Sequence, residues 1–149
     1  MEFPIQYLIP VIASIASFAV AGVYTMWVLR QNPGTKQMTD ISDAVKVGAA
    51  AFLKRELKII IPIAIGLSIV IGFFFQGSNG IAFAVGAALS AVSGIVSLKI
   101  TVKAAVRSAN ATHSGLGRTF ALAFRGGATV GLVVPAMALM ALSILFMVY

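Results

Sequence analysis

The chain has 149 residues, 60% of them hydrophobic and 10% charged, whereas a water-facing domain carries about 25% charged residues. Most of this surface therefore meets something other than water, which argues against a soluble domain. Eleven Lys and Arg against four Asp and Glu give a net charge of +7, confined to blocks. Phe3 to Leu29, Ile59 to Leu98 and Gly126 to Tyr149 carry no charge over 27, 40 and 24 residues. A bilayer crossing takes roughly 20 apolar residues at 1.5 Å each. The pattern predicts an all-α integral membrane bundle of four transmembrane helices, near 3–29, 59–75, 81–98 and 126–149.

The first span has Pro4 and Pro10 close to its start, where a missing N–H costs least. No basic stretch precedes it and it exceeds a signal core in length, so it reads as a retained span. Trp27 and Arg30 suit the membrane interface, and Asn32-Pro33-Gly34 breaks the helix. Residues 40–58 read as an amphipathic helix running unbroken into span two. Asp40 and Asp43 sit at its N-terminus, where the dipole favours negative charge, and Ile41, Ala44, Val45, Gly48, Ala51 and Phe52 form an apolar face. Asp43 and Lys46 lie one turn apart. Such a face lies on lipid or packs on protein, and the small residues Gly48 to Ala51 favour packing.

Pro62 is expected to kink span two and free a carbonyl. Gln76-Gly77-Ser78-Asn79-Gly80 is the one polar, glycine-rich break in the long apolar block and reads as a tight turn. In span three, Ala82, Gly86, Ser90 and Gly94 recur every four residues and predict a helix-packing face. The helix is expected to continue past Leu98 through Lys99 and Lys103, until Ser114-Gly115-Leu116-Gly117 turns the chain. Gly127 and Gly131 repeat the small-residue device in span four, and Pro135 predicts a kink.

All eleven basic residues fall in 30–58 and 99–125. Cytoplasmic loops are enriched in Lys and Arg, so both loops are expected in the cytoplasm, with the N-terminus, residues 76–80 and Tyr149 outside. The same rule accounts for the basic balance, and no nucleic-acid partner is expected. The chain lacks cysteine, so nothing reports a redox compartment.

Inside the spans there is no ionisable side chain other than tyrosine. Intramembrane charge marks ion pathways, so four such spans form no ion path alone, against a rotary-ATPase proteolipid. Asp40 and Asp43 read as helix caps rather than metal ligands, since a hard cation needs clustered oxygens. His113 reads as a solvated loop residue. The glycines of 114–117 and 125–127 match no phosphate-binding fingerprint. No catalytic, cofactor-binding or metal residue is assigned.

Three segments carry more. Trp27-Val-Leu-Arg-Gln-Asn-Pro-Gly-Thr35 is followed by Met38 and by Ile41-Ser-Asp-Ala-Val-Lys-Val-Gly-Ala-Ala-Ala-Phe-Leu-Lys-Arg-Glu56. Gly86-Ala-Ala-Leu-Ser90 leads through Gly94 to Ala104-Ala-Val-Arg-Ser108, and Ala123-Phe-Arg-Gly-Gly-Ala128 precedes Gly131. Together they resemble, in order and spacing, the opening of the membrane-integral inorganic pyrophosphatases, the pyrophosphate-energised proton or sodium pumps. Leu57, Ser97-Leu98, Ala105 and Ser108 depart from the family pattern and leave ion type and potassium dependence open.

The resemblance implies a pump of about sixteen helices in a prokaryotic-type cell membrane, with this chain as its first four. It implies Mg²⁺ in the complete pump, held by later motifs that this sequence lacks, so the piece alone is expected to be inactive. Its implied partners are the lipid bilayer, the remaining helices in the same or another chain, and a second copy in a homodimer. These helices would form an outer scaffold. The ending on an apolar span at Tyr149 favours a fragment over the alternative, a standalone four-helix membrane scaffold or interaction protein without catalysis.

Overall fold

The computed structural model describes the backbone of residues 5–148 and the side-chain surroundings of residues 8–146; Pro4 and Tyr149 lie outside the described residues. Four helices follow one another: α1 (Ile5–Leu29), α2 (Lys36–Phe74), α3 (Gly77–Ala111) and α4 (Leu116–Val148), with a short 3-10 turn at Thr112–Ser114 before α4. All four are long and apolar enough to cross a membrane.

Local chemistry explains where the helices stop. After α1, the Asn32 side-chain oxygen accepts from the Gly34 N–H at 2.9 Å, an Asx-type turn. Gly34 takes φ +99°, a conformation open to glycine without strain. Thr35 then caps α2 by accepting from the Met38 N–H. The helix accordingly begins at Lys36, before Asp40, and the two aspartates lie beyond its first turn. At the far end only Phe75 and Gln76 separate α2 from α3, so Gly77 to Gly80 form the first turn of α3 rather than a loop. Gly80 makes this possible: a Cβ there would stand 2.5 Å from the Ser68 carbonyl oxygen. The Ser68 hydroxyl donates to the Gly80 carbonyl at 2.7 Å and ties the two helices. Gly115, with φ +105°, makes the remaining reversal.

α1 packs on α4, α4 on α3, and α3 on α2, while α1 and α3 meet only briefly and α2 packs on α3 alone. The result is an open row, α1–α4–α3–α2, with neighbours antiparallel. On α4 the buried and half-buried positions Leu122, Gly126, Thr129, Val133, Ala136, Met140 and Ser143 alternate by three and four. α1 answers with Ser14, Ala21 and Val28, seven apart and buried. That 3.5-residue period is the seam of left-handed helix packing. The hydroxyls it buries are satisfied within their own helices: Ser14 donates to the Pro10 carbonyl, Thr129 to Arg125 and Ser143 to Leu139, the backbone-directed bond that Ser and Thr make in helices. Outward-facing positions are apolar, among them Ile12, Ile15, Ile63, Ile69 and Phe73, the reverse of a water-soluble bundle.

Candidate functional site: the basic cap

The end of the row that carries the basic residues is held by polar side chains as well as by close helix packing. The loop after α1 exposes carbonyls with no helical partner. Arg107, eight turns along α3, supplies donors to them. Its Nε donates to the Gln31 carbonyl at 3.0 Å, one terminal nitrogen to Leu29 at 3.3 Å, and the other to Lys103 on its own helix at 2.8 Å. Burial pulls the Arg107 pKa below its ordinary value, yet a guanidinium stays charged in a protein. One turn on, the Asn110 amide donates to the Asn32 carbonyl at 3.2 Å. Arg118, in the first turn of α4, donates to the Gln31 side chain at 3.1 Å.

Beneath these bonds lies a small apolar core of Val28, Ala104, Ala111 and Leu122, with Trp27 against it. The Arg125 guanidinium stands 3.8 Å from the centre of the Trp27 ring and 6.0 Å from that of Tyr24, within cation–π range. Gly126 passes so close to α3 that a Cβ would stand 2.7 Å from the Ala104 methyl. Arg107 borders two hollows. One of about 270 Å³ includes Lys46 and Lys103; the other, of about 230 Å³, includes Arg118 and Asn110.

The sequence-expected packing residues fall elsewhere. Gly86, Ser90 and Gly94 lie on an exposed side of α3, and Gly127 and Gly131 on an exposed side of α4. A Cβ built on any of these four glycines meets nothing within 4 Å. Ala82, Gly86 and Ser90 line a groove of about 370 Å³ between α3 and α4, facing Val134, Ala138 and Leu142. The glycines that do permit close approach are Gly80 and Gly126. Gly126 stood beside the named pair in sequence; the 3.5-residue pattern of α4 was the signal that selects it. The apolar face at Ile41, Val45 and Phe52 is exposed as well. Asp43 pairs with Lys46, and His113 is exposed in the 3-10 turn. Among the described residues, no group of three His, Cys, Asp or Glu is placed to hold a metal ion.

Four antiparallel apolar helices with outward-facing Ile and Phe and a polar cap define a polytopic membrane protein. The family model for inorganic H⁺ pyrophosphatase matches residues 15–149. A K⁺-insensitive pyrophosphate-energized proton pump of Methanosarcina mazei is 35% identical over 140 residues, covering 93% of this chain and 21% of the relative. A K⁺-stimulated pyrophosphate-energized sodium pump of Thermotoga maritima is 36% identical over 145 residues, covering 96% of this chain and 19% of the relative. The chain belongs to the inorganic H⁺ pyrophosphatase family, and it spans about a fifth of the length of these curated relatives.

Proposed function

We propose that this chain is the N-terminal outer scaffold of a pyrophosphate-energised pump, which couples pyrophosphate hydrolysis to H⁺ or Na⁺ transport across a cell membrane. The observation that carries the reading is the match along more than nine-tenths of the chain to pumps of this kind. The structure fits a supporting part. No Asp, Glu, His, Lys or Arg falls within the four apolar spans, and the most buried contacts are helix to helix.

Magnesium, which the pump reading implies, does not fit these residues. Among the described residues the acids are Asp40, Asp43 and Glu56, all on α2, and Asp43 is engaged by Lys46. The pyrophosphate and its metal are therefore assigned to helices beyond this chain, and no chemical step to residues within it. The exposed Gly86–Gly94 and Gly127–Gly131 faces, where a Cβ on each glycine meets nothing within 4 Å among the described residues, are proposed to receive those helices, since small residues admit close backbone approach in lipid. The basic cap faces the cytoplasm, the Gln76 turn faces outward, and the assembled pump is a homodimer.

Two experiments test this. Membranes holding the chain alone should not hydrolyse pyrophosphate with Mg²⁺, and co-expression with the rest of a pump lacking these helices should restore hydrolysis. Hydrolysis by the chain alone, or no restoration, refutes the scaffold assignment. Because the chain has no cysteine, Ser78→Cys and Ser114→Cys give clean reporters. A membrane-impermeant maleimide should label position 78 in intact cells and position 114 only after lysis; the reverse pattern overturns the orientation.

A further inference from the structure

The hollow between Arg107 and Arg118, about 230 Å³ in volume, is walled by three separate stretches of chain. Gln31 and Asn32 come from the loop after α1, Arg107 and Asn110 from the end of α3, and Ser114 and Arg118 from the turn into α4. No carboxylate lines it. The three described acids are all on α2; Asp43 borders the neighbouring hollow together with Arg107, but it is paired with Lys46. Two guanidiniums thus share a concave polar site without a counter-ion among the described residues.

Their donor capacity is not used up by the fold. A guanidinium has five N–H groups. Arg107 uses three on the carbonyls of Leu29, Gln31 and Lys103, which fixes its plane. Arg118 uses one on Gln31. The remaining N–H groups have no acceptor within the chain's described residues.

We propose that this hollow binds a small oxyanion of the phosphate class. Paired planar guanidiniums match the oxygens of a tetrahedral anion with forked, charge-assisted hydrogen bonds, and Asn110 and Ser114 line the same space. The volume lies under the roughly 300 Å³ at which pockets for drug-sized molecules begin, so it suits an ion of a few heavy atoms. Gln31 and Asn32 come just after Trp27 and Arg30, residues that suit the membrane interface, and Arg107 bonds the Leu29 carbonyl at the end of span one. The hollow therefore stands at the interface, where a dissolved phosphate and a lipid phosphate present the same oxyanion chemistry. The site is independent of the pump reading, because it rests on residues of this chain alone.

The test is thermal melting of the purified chain in zwitterionic nanodiscs, titrated with inorganic phosphate against chloride at constant ionic strength. Phosphate should raise the Tm saturably. Arg118→Gln should raise the half-saturating phosphate concentration at least tenfold while circular dichroism shows unchanged helicity, Arg118 being exposed on the outside of the cap. Ser114→Asp, which sets a carboxylate at the exposed rim of the hollow, should abolish the phosphate response by an independent route. No phosphate response in the unmodified chain, or an unaltered response in both variants, overturns the site. In nanodiscs rich in phosphatidylglycerol, a persisting response assigns the hollow to a dissolved ion, and its loss assigns it to a lipid headgroup already seated there.

Discussion

The two outermost helices of the row are attached in different ways. α1 sinks Ser14, Ala21 and Val28 completely into its seam with α4, and Thr129, Leu122 and Ala136 answer from the other side, none more than 2% exposed. α2, at 39 residues the longest helix, buries one residue, Ser42. Its tie to α3 rests on a tight hairpin at one end and on half-buried Ala49, Leu53, Leu57, Ala64 and Ser68 between. Length and hydrophobicity therefore do not measure how firmly a membrane helix is held. What differs is the spacing of small residues in a 3.5-residue register, which lets backbones approach closely enough for dispersion contacts to accumulate where no hydrophobic force acts.

The comparison breaks most sharply at Gly126. Gly126→Leu drives a side chain into Ala104 at the meeting of α3 and α4 and should lower stability by about 3 kcal/mol or more, at or above the upper end of overpacking costs; unfolding of the chain in mixed detergent micelles reads it. Arg107→Ala should follow, at about 2 kcal/mol, since charge-assisted bonds to carbonyls are lost and loop groups are left without donors. Gly80→Ala should cost about 1–3 kcal/mol and loosen α2 alone, visible as faster backbone hydrogen exchange across α2 with α1 and α4 unchanged. Gly86→Leu and Gly94→Leu should each change the stability of the isolated chain by less than about 0.5 kcal/mol, because a side chain there enters open space. The same pair should reduce assembly with the rest of a pump by at least tenfold, and a full effect in the isolated chain would show that α3 packs there already. Smallest of all, Asp43→Asn removes an exposed ion pair and should change stability by well under 1 kcal/mol.

Much of the fold was written locally. The four apolar runs mark the helices, and Asn32-Pro33-Gly34, the Gln76 region and Gly115 mark the reversals, because turn chemistry depends on a few adjacent residues. The central break was shorter in the structure than in the sequence. Gly77 to Gly80 look like a loop by composition, but they serve as a helix turn pressed against Ser68. The order of the row was not legible: nothing near Ile5–Leu29 says that α4 rather than α2 will lie beside it. Arg107 illustrates the same limit. In sequence it is one of five basic residues in a segment whose charge topology already explains, and its bond to Gln31 spans 76 positions. The four-step ladder in α3 was legible as a pattern but not as a contact, since a repeat of small residues names a face without naming its neighbour.

The placement of Trp27 gives the molecule a built-in optical reporter. It is the only tryptophan in the chain, and it lies against the apolar core of the cap with the Arg125 guanidinium over its ring. Indole emission depends on the polarity and charge around the ring, so the fluorescence of the unlabelled protein reads one location: the place where α1, α3 and α4 converge. Separation of α1 from α4 exposes the indole and removes the cation together, and emission then follows the joining of these helices in real time, without a dye or an added probe.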